Sequence, residues 1–160
     1  MKLQKLFRNI LVFWLATGAG SVLAQDRCDG FFITDQEFES LTLVGESCYL
    51  YNVTISGDLT VINSGNFSIQ ESRVGGTIKL LASVDAQIQH TEANKVIARG
   101  NTKTVLGGVQ ANDTIRVVNN GVAYVGLNVA RVIRCKDNIR LVAGQNYATG
   151  GANTCSTPGL

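Results

Sequence analysis

Proline, methionine, tryptophan and histidine occur once each among 160 residues, and only 16% of the chain is charged. So little charge beside 45% apolar content excludes a disordered chain and requires a folded core. A lone histidine, His90, and the lack of any Cys-x-x-Cys pair leave no metal-ligand set, so neither metal nor cofactor is expected. No Gly-x-Ser-x-Gly, Walker or dinucleotide pattern stands in a usable context. Beyond residue 24, no apolar run approaches the roughly 20 residues that a bilayer crossing needs.

The amino-terminal segment is of a different kind. Lys2, Lys5 and Arg8 precede an apolar run from Ile10 to Leu23, and Val22-Leu23-Ala24 offers the small side chains of a signal-peptidase site. Residues 1–24 therefore read as an export signal rather than an anchor, because the run is too short to span. No cysteine marks a lipid attachment there. Removing the segment takes three of the fourteen basic residues and none of the twelve acidic ones, leaving a net charge of −1. That balance argues against a nucleic-acid binder, and the basic residues lack interleaved aromatics. The expected location is exported, periplasmic or extracellular.

Four cysteines, Cys28, Cys48, Cys135 and Cys155, lie in the exported part, and an even number in an oxidising compartment favours two disulfides. Three pairings are open. The spacing prefers Cys28 with Cys48 and Cys135 with Cys155, each closing a short local loop.

A repeat organises the rest. Leu41, Leu59, Ile78, Val96, Ile115 and Ile133 recur at intervals of 18 or 19, and two positions later stand Leu43, Val61, Leu80, Ala98, Val117 and Cys135. Apolar residues at alternate positions have the strand period. A second column runs through Tyr49, Phe67, Ala86, Val105, Val122 and Leu141, and a third through Val74, Ala93, Ala111, Val129 and Tyr147. Polar corners separate the first two columns: Asn63-Ser64-Gly65-Asn66, Gly100-Asn101-Thr102, Asn119-Asn120-Gly121 and Asp137-Asn138. Three short strands per row describe an all-β fold, a parallel β-helix or β-solenoid of about six rows, with a spacing that favours a right-handed coil. An antiparallel sandwich gives no reason for whole rows to align without insertion.

The pattern resembles the parallel β-helix repeat proteins secreted by bacteria over roughly Leu41 to Tyr147. The resemblance is architectural and implies no functional residue. The expected division is a signal at 1–24, an amino-terminal cap at 25–40, the solenoid at 41–148 and a tail at 149–160. Thr34 to Glu37 has the spacing of a helix capping box, so the cap is expected to be a short amphipathic helix with Phe31, Phe32 and Phe38 inward. The disulfides would fasten both ends.

Charge is divided along the rows. Residues 25–71 hold eight acidic and one basic residue, and residues 72–160 hold four acidic and ten basic. Lys79, Arg116 and Arg134 each follow a row head and should form an outward column that Ile97 interrupts, with Arg99, Arg131 and Lys136 near it. These six residues are the candidate anion-binding set, for an acidic glycan, a lipopolysaccharide head group or an acidic protein surface. The charge division also suits head-to-tail self-association in an envelope or surface assembly. A polysaccharide lyase or hydrolase is the alternative, but Asp58, Glu71, Asp85, Glu92 and Asp113 do not align on neighbouring rows, and His90 meets only Glu71. No catalytic residue is assigned, and the expected function is a non-catalytic binding or structural module.

Overall fold

The computed structural model describes residue 28 and residues 30–155, so residues 1–24, expected to be an export signal, and the last five residues of the tail, including Pro158, lie outside the described residues. Sixteen strands in two sheets make up the architecture, and the described residues contain no helix. The first sheet stacks β1 (Phe31–Thr34), β4 (Cys48–Tyr51), β7 (Asn66–Gln70), β9 (Asp85–Gln89), β11 (Lys103–Gly107), β13 (Val122–Gly126) and β15 (Arg140–Ala143) in chain order. Its seven strands bracket six turns of coil.

The second sheet contains β2 (Glu37–Phe38), β3 (Leu41–Val44), β5 (Thr54–Ile55), β6 (Leu59–Ile62), β8 (Arg73–Leu81), β10 (Glu92–Arg99), β12 (Gln110–Val118), β14 (Val129–Lys136) and β16 (Tyr147–Ala148). Every pairing in both sheets is parallel. The chain is a parallel β-solenoid.

The row heads stack as the sequence predicts: Leu41 on Leu59, Ile78, Val96, Ile115 and Ile133, all essentially buried. The neighbouring interior ladder runs Leu43, Val61, Leu80, Ala98, Val117 and Cys135. Each fully buried Leu or Ile stabilises the fold by about 2–3 kcal/mol relative to exposure, so these ladders set the register.

The other two columns need correction. The interior ladder of the first sheet is Cys48, Phe67, Ala86, Thr104, Ala123 and Leu141, so Tyr49, Val105 and Val122 stand one residue off it and face outward. The third interior ladder is Ile55, Val74, Ala93, Ala111, Ala130 and Ala148, which turns Val129 and Tyr147 outward. A one-residue slip moves a side chain to the opposite face. From the second coil on, both ladders keep a fixed distance from their row heads, but at Thr104, Ala123, Ala130 and Ala148 the interior residue is small or polar and a larger apolar side chain stands beside it. At the bend that follows in the second sheet, three residues separate Val74 from Ile78 and Ala111 from Ile115, but only two separate Ala93 from Val96 and Ala130 from Ile133, which alternates the spacing of the row heads.

The expected helical cap is also replaced. Phe31–Thr34 pairs with β4 and Glu37–Phe38 with β5, so an extra coil precedes Leu41. A short run rich in aromatic and β-branched residues is a good strand, and the open edge of β4 supplies its hydrogen bonds. Phe32 is 74% exposed and stacks on Tyr49 at a centroid distance of 5.0 Å, whereas Phe38 packs on the core.

The disulfides join Cys28 to Cys48 and Cys135 to Cys155, one towards each end. At the carboxyl end, Ile133 bridges Asn153 in parallel, and the Cys135 N–H donates to Thr154 Oγ1 at 3.1 Å. The tail thereby begins another layer over β14.

Two corners repeat in every coil. One places Gly45, Asn63, Ala82, Gly100, Asn119 and Asp137 at positive φ, and the other does so with Asp35, Asn52, Glu71, His90, Gly108 and Leu127. The residue after each turns inward, apart from Gln36, which is exposed. At the first corner the Ser83 N–H donates to Asn101 Oδ1 (2.8 Å), that of Asn101 to Asn120 Oδ1 (3.0 Å), and that of Asn120 to Asn138 Oδ1 (3.0 Å). The amide groups of Asn101, Asn120 and Asn138 donate in turn to the carbonyls of Leu80, Ala98 and Val117. At the second corner Asn128 and Asn146 do the same for the N–H groups of Val109 and Asn128 and the carbonyls of Leu106 and Val125. Backbone groups buried where the chain leaves a sheet need such partners.

Candidate anion-binding face

The second half of each long strand of the second sheet alternates between core and solvent, so residues next to a buried row head point outward. Lys79, Ile97, Arg116 and Arg134 occupy one outward column in direct register. Two residues along each strand, Leu81, Arg99, Val118 and Lys136 form the adjoining outward column. The sequence-derived column is thus present, including its interruption by Ile97.

Adjacent coils lie about 4.8 Å apart, so Arg116 sits directly beside Arg134, and Arg99 and Lys136 flank them diagonally within about 8 Å. Like charges in direct register are unfavourable in a sheet. Among the described residues, Arg99, Arg116 and Arg134 have no carboxylate within ion-pair distance. All three are exposed. They form the uncompensated centre of the face.

The other three candidates are engaged. Lys79 Nζ lies 3.1 Å from Asp58 Oδ2, Arg131 holds Asp113 through Nε at 3.1 Å and Nη2 at 2.5 Å, and Lys136 Nζ approaches Asp137 at 3.7 Å. The Thr77 N–H and then Lys79 hold the Asp58 carboxyl below its ordinary value, and Arg131 does the same for Asp113. These three cations edge the face rather than centre it.

Lys95 belongs here too, although sequence reading did not single it out. It pairs in register with Thr77 beside the basic column and its charge is felt at Asp113. A hollow of about 370 Å³ lies at the bend, where Arg73, Glu92, Asn94, Gln110 and Asn112 converge. A second, of about 240 Å³, continues it past Gln110 and Asn112 to Thr149. The only sequence signal for this groove was the extra residue at the bend, which the row alignment had absorbed.

The carboxylates considered for catalysis are dispersed. Asp85 pairs with Lys103 at 2.8 Å, Glu92 with Arg73 at 2.8 Å, Asp58 with Lys79 and Asp113 with Arg131. Glu71 accepts the Tyr51 hydroxyl at 2.9 Å, which raises the pKa of that tyrosine. His90 occupies the corner column next to Glu71 without an ion pair between them. Among the described residues, no three His, Cys, Asp or Glu side chains gather as a metal site would require. None of the described elements is a helix long and apolar enough to cross a membrane.

Fold and face together define a class: a parallel β-solenoid with a disulfide towards each end and an arginine-rich outer strip. Compared with protein-family models, with curated proteins and with solved structures, the chain matches none.

Proposed function

We propose that this protein is an exported, non-catalytic binding module whose second sheet holds an anionic glycan across successive coils. The observation that carries the reading is the direct stacking of Arg116 on Arg134, flanked by Arg99 and without carboxylate partners. An array of uncompensated guanidinium groups is stabilised by a polymer that brings carboxylates or sulfates at intervals, and arginine suits such groups through paired N–H donors. The adjoining groove offers amides of Asn94, Gln110 and Asn112 to sugar hydroxyls. Two disulfides support an oxidising compartment and hence export.

Retention on an immobilised acidic polysaccharide tests this reading. Wild-type protein should elute late and move earlier as salt rises, while Arg116→Glu combined with Arg134→Glu should elute near the void at low salt. Equal retention of the two proteins would reject it.

A further inference from the structure

The outer face of the first sheet carries an apolar column at both ends and a polar centre. In register along the rod stand Phe32, Tyr49, Ser68, Gln87, Val105, Tyr124 and Val142. Phe32 is 74% exposed, and Tyr124 and Val142 are each 38% exposed. Ser68 in its middle is covered, with Gln70 Nε2 donating to its hydroxyl at 3.3 Å, while the two ends of the column stand open. The adjoining outward column runs Thr34, Tyr51, Gln70, Gln89, Gly107 and Gly126.

We infer that this face is the interface of a side-by-side antiparallel homodimer, with its two-fold axis at the fourth strand, β9. A two-fold axis along the strand direction reverses the order of coils and sets each column against itself. Phe32 of one copy then meets Val142 of the other, Tyr49 meets Tyr124, Ser68 meets Val105, and Gln87 meets its own counterpart. In the adjoining column Tyr51, 43% exposed, lies over Gly126. Phe32 and Tyr51 thus oppose the smaller Val142 and Gly126, while Tyr49 and Tyr124 meet ring to ring.

Gly126 supports this fit. Its backbone is not in the left-handed region, and a Cβ built there would come no closer than 3.7 Å to the nearest atom. Glycine weakens a strand interior, and the monomer's fold does not demand it there.

Charge selects the direction. The coils stack in sequence order, so Asp35, Glu37, Glu39, Asp58 and Glu71 occupy one end of the rod and Arg116, Arg131, Arg134, Lys136 and Arg140 the other. Antiparallel rods bring each acidic half beside a basic half, whereas parallel rods would oppose like charges. A face roughly 30 Å by 16 Å buries on the order of 1,000 Å² in total, the lower limit for a specific interface, which suits a weak, concentration-dependent dimer. The inference does not rest on the glycan reading, which concerns the second sheet.

Sedimentation and an oxidative cross-link test it. Wild-type protein at about 100 µM and low salt should sediment as a dimer, and raising salt from about 0.05 to 0.5 M should weaken it on the order of tenfold. Gly126→Arg should remain folded and monomeric. Gln87→Cys should cross-link to itself, whereas Val142→Cys should not, because only parallel rods would set that position against its own counterpart while antiparallel rods set it opposite Phe32. A monomer under all these conditions, a dimer undisturbed by Gly126→Arg, or a dimer in which Gln87→Cys fails to cross-link would overturn the inference.

Discussion

Asn120 shows how much one side chain can hold in so narrow an interior. Its Oδ1 accepts the Asn101 N–H at 3.0 Å and the Thr104 hydroxyl at 3.2 Å, and its Nδ2 donates to the carbonyls of Ala98 and Val118. Asn120→Ala would strand several buried backbone groups at once, each costing about 1–3 kcal/mol, so a net loss of about 3 kcal/mol is expected from urea unfolding. Loss below 1 kcal/mol would mean that water replaces the amide. Sequence reading recognised the corner asparagines but gave them only conformational work. Asn63 and Asn119 do adopt positive φ, while the residues that follow them turn inward, which a single sequence cannot reveal without the turn of the backbone. Asp58 supplies a pH-dependent counterpart. Its folded pKa is lowered, first by the Thr77 N–H, so its stabilising contribution is complete above the unfolded value near 4 and is lost as pH falls through the lower folded value. Asp58→Asn should therefore reduce thermal stability modestly at pH 7 and flatten the decline below pH 4. The size is small because the side chain is about half exposed.

At the scale of one coil, stability is set by stacking on the neighbouring coil, and the last coils have a neighbour on one side only. The Cys135–Cys155 bond closes a segment with a sequence separation of 20 and ties the tail back to β14. Replacing both cysteines by serine should cost about 3 kcal/mol. Hydrogen exchange should show the loss confined to β15, β16 and residues 149–155, with β8 to β12 still protected. Uniform loss of protection would show instead that the coils unfold as one unit. Element identity was legible because two periods coincide, alternation within a strand and 18 or 19 residues between row heads. Register was less legible. In several coils the interior position holds a small or polar residue, Thr104, Ala123, Ala130 or Ala148, and the apolar signal there comes from the larger side chain one residue away. Val105, Val122, Val129 and Tyr147 read as interior for this reason, and Tyr49 because the first coil reaches Cys48 one residue sooner after its row head than the later coils do. The first coil escaped because Thr34 and Glu37 satisfy a capping pattern that strand pairing with β4 outweighs.

Across the whole molecule, a nearly neutral composition separates into an acidic and a basic end because the coils stack in sequence order. That ordering turns the positions of charged residues into a spatial gradient. The basic column was legible since one residue per coil, next to a buried row head, must face outward. The carboxylates that engage Lys79 and Arg131 were not, because Asp58 and Asp113 reach them from the preceding coil, outside the apolar columns. What remains uncompensated is the trio Arg99, Arg116 and Arg134. The most direct test of the account is the affinity for an acidic polysaccharide as a function of salt, for wild-type protein and for Arg116→Glu with Arg134→Glu. Affinity should fall steeply with salt in the wild type, and both affinity and slope should collapse in the variant. Identical affinities and slopes for the two proteins would contradict it.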